Sequence, residues 1–532
     1  MVYAPLFQLG PDTTDYEFLG SEGVGRETWR GAQWLLVQQE SLASLAELAF
    51  ARISHLLRPS HLAQLRGILD DPDASDNDRS VARALLHNAV IAAAGELPMC
   101  QDTGTAIVIG SKGERILTEG ADAAAFSAGI ARTYASRNLR FSQLAPLSLY
   151  EEENTGSNLP AQIEISAAAG ADYRLLFVAK GGGSANKTFL FQQTTALLRP
   201  EKMRAFLAEK IATLGAAACP PYHLAIVIGG LSAEQTLKTV KLASCRALDG
   251  LPEQGDKTGR AFRDRALEQE VLAITRELGV GAQFGGKYFC HDVRVIRLPR
   301  HAGSLPVGLG VSCSADRQAK ALITAEGIFL ERLEEHPEAY LPELDSTSIP
   351  PVAVDLNQPL DVLRRQLSTL PVGTRLSLSG PLVVARDKAH AVLAQRIAAG
   401  ESLPAYMREH PVYYAGPAKT PSGMASGAFG PTTAARMDGY MEAFLAAGAW
   451  SISLGKGNRS PEVAEACRRH GGFYLGTIGG AAAAIARDHI RAVETLDMEE
   501  LGMEAVRLIQ VVDLPAFMVI DDKGQDFYQT VR

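Results

Sequence analysis

Four short runs constrain this chain more than anything else in it: TAIVIGSKG (105–113), DYRLLFVAKGGG (172–183), HLAIVIGG (223–230) and DVRVIRLP (292–299). Each is rich in Val, Ile or Leu and bounded by Gly or Pro, the pattern of strands buried on both faces. Such strands need other layers to cover them, and helical patterns lie between them. PEKMRAFLAEKIATLG carries Pro200 in its first turn and Gly215 just past its end, and SAEQTLKTVKLASCRAL opens with Ser232 and Gln235 at capping-box spacing. From about residue 30 to about 95, Ala/Leu-rich stretches alternate around a polar break, DDPDASDND, which predicts a helical bundle.

The Pro-punctuated stretch ERLEEHPEAYLPELDSTSIPPVAVDLNQP follows a helix-like run ending near residue 333 and is the best boundary in the chain. Beyond it, RLSLSGPLVVARDKAHAVLAQRI reads as strand, tight turn and helix. The expected fold is therefore α/β (mixed α+β) in two domains, residues 1–333 and a smaller 356–532, joined by a linker over 334–355. A cleft between two such domains is a natural ligand site.

A formal net charge of -8 argues against a nucleic-acid surface, so an anionic substrate needs a locally positive pocket. The first twenty residues hold no basic segment and no apolar core, which reads as neither a secretory nor a mitochondrial leader. No apolar run reaches the ~20 residues of a membrane span. Six cysteines spread over 532 residues read as reduced thiols in a cytoplasm.

Cys100 (PMCQDTG), Cys219 (AACPPYH) and Cys313 (GVSCSADR) stand in turn-rich loops at the edges of strand-like or helix-like runs, where a thiolate can be presented to iron. Cys245 and Cys467 fall in helical patterns and read as core residues. Cys290 opens the suggestive string CHD, but a strand turns Cys290 and His291 to opposite faces. Three thiolates leave one iron of a 4Fe-4S cluster with an open position, which makes it a Lewis acid.

AKGGGSANKT follows a strand and ends in Lys187-Thr188, yet Asn186 stands where a phosphate-binding loop needs its second glycine. Its consecutive glycine N–H groups suit a small anion such as a carboxylate. Thr432 and Thr433 stand at an expected helix start, with Arg436 one turn on and on the face of Thr432; an ordinary threonine N-cap explains them as well. Lys456, in LGKGN, reads locally as a surface-turn lysine.

PMCQDTGTAIVIGSKG, AKGGGSANKTFLFQ, CPPYHLAIVIGGLSAEQTLKTVKLAS, GGKYFCHDVRVIRLPRHAGSLPVGLGVSCSADR, LSGPLVVARDKAH, GPAKTPSGMASGAFGPTTAARMDGY and SLGKGNRS closely resemble the class I fumarases, the iron-sulfur fumarate hydratases. The resemblance implies a cytoplasmic homodimer in which Cys100, Cys219 and Cys313 hold a 4Fe-4S cluster and the C-terminal domain closes over it. It implies reversible hydration of fumarate to (S)-malate, a tricarboxylic acid cycle reaction. Gln101, Asp102, Arg140, Gly183, Arg386, Thr432, Arg436 and Lys456 would line the substrate. Thr432 would act as base at C3, its alkoxide stabilised by Arg386 and the helix N-terminus, and Asp102 as acid. His301 would orient Asp102 or satisfy a buried hydrogen bond. Cluster and diacid are both negative, so Arg140, Arg386, Arg436 and Lys456 are the cations that let them coexist. A hydratase of mesaconate or tartrate would use the same residues, and an iron-sulfur sensor would need no acid and base.

Overall fold

The computed structural model describes residues 4–343 and 350–530. Among them, three large sheets of six, five and seven strands carry the fold, and no helix is long and apolar enough to cross a membrane.

The six-stranded sheet runs in the order Tyr16–Gly20, Gly327–Glu331, Gln318–Thr324, Tyr173–Lys180, Thr105–Gly113, Gln162–Ala168. Helices Gln39–His55 and Asp122–Ser136 pack on one another and against it. Gly129 makes that approach possible, because a Cβ there would overlap the Ala43 carbonyl. Phe50 and Phe126 stand edge-on to Phe177 at 5.8 and 6.0 Å, all fully buried. Each such ring contributes about 1.5–3 kcal/mol of burial. Helices Pro59–Asp70 and Asp76–Ala93 continue the helical layer into a second core.

The five-stranded sheet is centred on Tyr222–Gly230, in which all nine residues are buried. That is why its sequence is a continuous apolar run. It pairs in parallel with Cys290–Arg300 and antiparallel with Leu305–Ser312, with His223 opposite Ser312.

The seven-stranded sheet lies wholly within 352–520, and its strand Arg375–Val384, besides its two neighbours Val352–Asp355 and Val412–Tyr413, also pairs with the long strand Val506–Ile520, so the sheet curls back on itself.

Two local expectations fail. Residues 32–37 form a strand, paired with Val24–Trp29, and the helices begin only at Gln39. Arg30 and Gly31, with φ of 52° and 75°, close that hairpin in the left-handed conformation its tight turn requires. The run ending near 333 is likewise no helix but the hairpin Gln318–Thr324 and Gly327–Glu331, where buried positions alternate along the first strand. Within the expected linker, Val352–Asp355 forms a strand of the seven-stranded sheet, and residues 344–349 lie outside the described residues. Ser232 caps its helix by accepting from Gln235 N, while Gln235 reaches back to Leu231 N, one residue before the capping-box partner.

Candidate active site

Strand register gathers the cysteine loops. The Cys219 loop enters Tyr222–Gly230 where Leu305–Ser312 leaves toward Cys313, so the antiparallel pairing puts both loops at one edge. Ser314 N donates to Cys219 O at 3.0 Å, tying them directly. Cys219 itself has φ of 62°, a left-handed conformation costly for a residue with a Cβ. In the six-stranded sheet, Thr105 pairs with Lys180, so the loop with Cys100, Gln101 and Asp102 meets the glycine run 181–183.

The C-terminal half supplies the other wall. Gln101 Nε2 donates to Pro431 O at 3.0 Å, and a Cβ on Gly430 would push the Gln101 amide out of this position. Lys456 is no surface-turn residue: its Nζ lies 3.0 Å from Cys219 Sγ, and its backbone N donates to Thr432 O at 3.2 Å. The glycine run follows its lead, since a Cβ on Gly183 would lie 3.7 Å from Lys456 Nζ.

Asp102 Oδ2 accepts from Gly182 N at 2.7 Å and Oδ1 from Gly104 N at 3.2 Å. Burial raises its pKa, but Arg140, Arg317, the Gly182 N–H and Lys456 together hold it below the usual carboxylate range. Cys219 is pushed up to about 11 by burial, against the pull of Lys456, and the neighbouring thiols Cys313 and Cys100 add to the rise. Cys100 is raised by burial too, with Arg317 opposing. Burial disfavours the thiolate at Cys100 and Cys219, and a bound cation would favour it.

Thr432 accepts from Arg436 Nη1 at 3.1 Å, and Arg436 is held by a bidentate pair with Asp387. The same-face expectation for Thr432 and Arg436 holds, although the element is a 3₁₀ turn, Ala434–Met437, running into the helix Asp438–Ala446. The expected alkoxide partner is corrected: Arg386 instead donates to Met503 O at 2.5 Å and pairs with Glu504 at 2.9 Å, and Arg436 takes the threonine. Burial pushes Arg386 down to about 10, with Arg140 and Arg436 adding to the effect and Glu504 opposing it. Arg140, donating to Ser142 Oγ at 3.1 Å, thus shares the electrostatic neighbourhood of both Asp102 and Arg386.

His301 does not join this group. It is exposed, with Nδ1 accepting from Gly303 N at 3.1 Å, and no hydrogen bond among the described residues links it to Asp102; nor does it fill a buried hydrogen bond. The remaining cysteines behave as expected: Cys245, Cys290 and Cys467 are buried in apolar cores.

Sequence reasoning missed Arg317. This buried guanidinium acts on Cys100, Cys313, Asp102 and Tyr134, and its Nε has no hydrogen-bond partner. Its one signal was position, four residues after Cys313. Gly479 was also missed: a Cβ there would overlap Cys219 Sγ. A trio of clustered thiols, flanking cations, an orphaned guanidinium nitrogen and glycine walls together fit a bulky anionic group on the cysteines. Chemically, the arrangement can hold a dianion between cations and present it to a hydroxyl and a carboxylate.

The family model described as fumarate hydratase (Fumerase) matches residues 43–322, and that described as Fumarase C-terminus matches 327–531. Over all 532 residues the chain is 55% identical to the aerobic class I fumarate hydratase of Escherichia coli (strain K12), covering 97% of it. It is 54% identical to the anaerobic class I enzyme of the same strain, again over the whole chain and 97% of that protein. It is 57% identical to fumarate hydratase 2 of Leishmania major over 500 residues, 94% of this chain and 88% of that one.

Proposed function

Because the chain belongs to the class I fumarate hydratases, hydro-lyases acting on a small dicarboxylate, we propose that it interconverts fumarate and (S)-malate at a 4Fe-4S cluster held by Cys100, Cys219 and Cys313. When bound, such a group supplies a Lewis-acidic iron with an open position for the substrate's hydroxyl. The protein's own residues do the rest.

Arg140, Arg386 and Arg436 bind the two carboxylates, with Lys456 offsetting the charge of the thiolates. Charge-assisted hydrogen bonds of this kind contribute about 1.5–3 kcal/mol each, against a like-charge repulsion of roughly 4 kcal/mol at 4 Å and an effective dielectric near 20. The glycine run 181–183 presents backbone N–H groups and keeps Asp102 oriented through Gly182. In the malate-to-fumarate direction Thr432 Oγ1, its own proton first released to solvent, removes the C3 proton. An alcohol is a poor base, and the Arg436 Nη1 donor at 3.1 Å stabilises the alkoxide. Asp102 gives its proton to the departing hydroxide. It is a carboxylate without substrate, so it takes up a proton from solvent as the diacid binds, when the added negative charge favours its protonated form, and it acts as an acid only in the loaded complex.

One observation carries this reading: Lys456 touches Cys219 through its side chain and Thr432 through its backbone, joining the thiols to the base. The test is anaerobic conversion of malate, followed as fumarate absorbance, with iron and sulfide measured on the same sample. Thr432→Val should lose about 10²–10⁴ in kcat with iron content unchanged. Near-normal turnover would remove Thr432 as the base, and a metal-free yet active protein would end the cluster reading.

The same reading includes a cytoplasmic homodimer, on the family resemblance and the dispersed cysteines. It also includes two domains, 1–333 and 356–532, supported by the absence of any shared strand pairing between the seven-stranded sheet and the other two large sheets among the described residues.

A further inference from the structure

Beneath the turn that carries Cys313 runs a buried chain of polar groups that the reaction does not use. His223 Nδ1 lies 2.8 Å from Asp292 Oδ1, His223 Nε2 lies 2.9 Å from His61 Nδ1, and His61 Nε2 lies 3.0 Å from the Ser314 carbonyl oxygen. Both rings are 0% exposed. The ends of this chain, a carboxylate and a carbonyl, can only accept. Three hydrogen bonds in series between two acceptors need three protons, and two neutral imidazoles bring two. With two, a pair of bare lone pairs would oppose each other at hydrogen-bond distance inside the protein, which costs the full desolvation of both.

We infer that His61 and His223 together hold one proton more than two neutral rings carry, and that this charged pair is a positioning element for the Cys313 turn. Ser314 is the point of contact: its carbonyl takes His61 while its N–H donates to Cys219 O at 3.0 Å, so one peptide registers both cysteine loops. The inference rests on the proposed role of those loops only for its consequence, not for the proton count.

The surroundings are suited to a single positive charge. Asp316 reaches within 3.9 Å of His61 Nδ1 and 3.8 Å of His223 Nε2. It is itself satisfied by Arg246, Gln318 and Ser312, and it feels Arg58. Asp292 accepts from Gln64 and pairs with Arg294 as well as facing His223, so as a carboxylate it is fully matched and the third proton belongs on a ring. Burial pushes His61 down to about 3 against the pull of Asp316, so the extra proton sits on the His223 ring, which faces Asp292. His291 packs at 5.1 and 5.4 Å from the two rings with a bare Nε2, and burial keeps it neutral. The two facing nitrogens with Asp316 nearby would also suit a divalent ion, but 2.9 Å is a hydrogen-bond separation and Asp316 is already occupied.

The test is nitrogen NMR on full-length protein carrying isotope-labelled histidine, with His61 and His223 assigned by substitution. At neutral pH both ring nitrogens of His223 should be protonated and His61 should carry its proton on Nε2. In Asp292→Asn the new amide supplies the third donor, so His223 Nδ1 should lose its proton. In His61→Gln the amide still gives an N–H to Ser314 and an oxygen to His223, so His223 should stay doubly protonated and iron content should match the parent, whereas His61→Leu should lose most of its iron. A singly protonated His223 in both the parent and His61→Gln, or one equivalent of a divalent ion bound by the parent and lost in His61→Gln, would overturn the inference.

Discussion

Arg386 and Arg436 show how residues of one type divide a task. Arg436 is exposed, locked to Asp387 and turned to the Thr432 hydroxyl, so in the proposed reaction it serves the base. Arg386 is buried, paired among the described residues to Glu504 and the Met503 carbonyl, and its depressed pKa marks a cation that gains when an anion arrives. Arg386→Ala should therefore lower kcat/KM by about 10- to 100-fold, chiefly through KM, the size of one charge-assisted hydrogen bond. Arg436→Gln should act mainly on kcat. Steady-state kinetics on both variants checks this, and an unchanged KM in the first would detach Arg386 from substrate.

The elements around the site are held by close approaches more than by long side chains. The loop after Phe473–Thr477 passes so near Cys219 that only glycine fits at 479. Gly479→Ala should cost about 1–3 kcal/mol of overpacking and sharply reduce the iron retained on purification, measured against thermal stability in the same preparation. The helix Asp387–Ala398 holds a different liability. His390 lies among Tyr414, Tyr440, Phe444 and Trp450, and burial pushes it down to about 4 from its ordinary 6.5. The unfolded chain binds this proton first as pH falls, so the stability tied to His390 is complete above pH 6.5 and is lost progressively toward pH 4. The loss is on the order of 3 kcal/mol. Urea unfolding at pH 7 and pH 4 should show His390→Phe with a shallower acid slope than the parent; equal slopes would mean the ring is not the titrating group.

Across the whole molecule, the site draws on both halves: Cys100, Asp102 and Cys219 come from one, Thr432, Arg436 and Lys456 from the other. Strand pairing within the large sheets respects the same division among the described residues. Polypeptides 1–343 and 350–532, which keep the strand Val352–Asp355 with its sheet, should then each be inactive alone and regain hydratase activity when co-expressed, since buried contacts such as Asn88 to Ala483 and Gln283 to Gly479 can form between separate chains. A dicarboxylate should raise the Tm of the intact protein, because it binds only when the halves are together; at 100 times its Kd the gain is about 2.7 kcal/mol.

Local chemistry settled much of this before any tertiary contact. Continuous apolar runs could only be buried strands, turn-rich settings distinguished Cys100, Cys219 and Cys313 from Cys245 and Cys467, and long matching strings fixed the family. The hairpin at 318–331 escaped notice because its Ala and Leu content suits a helix, and the strand 32–37 because it runs straight into the helical stretch that begins at Gln39; the partner strands are known only once the sheets form. Arg317, Gly479 and the histidine pair were invisible for a related reason. Their meaning lies mainly in neighbours far off in sequence, Cys100 and Asp102 for Arg317, Cys219 for Gly479 and each other for His61 and His223, brought together by antiparallel register and by burial, neither of which a local pattern encodes.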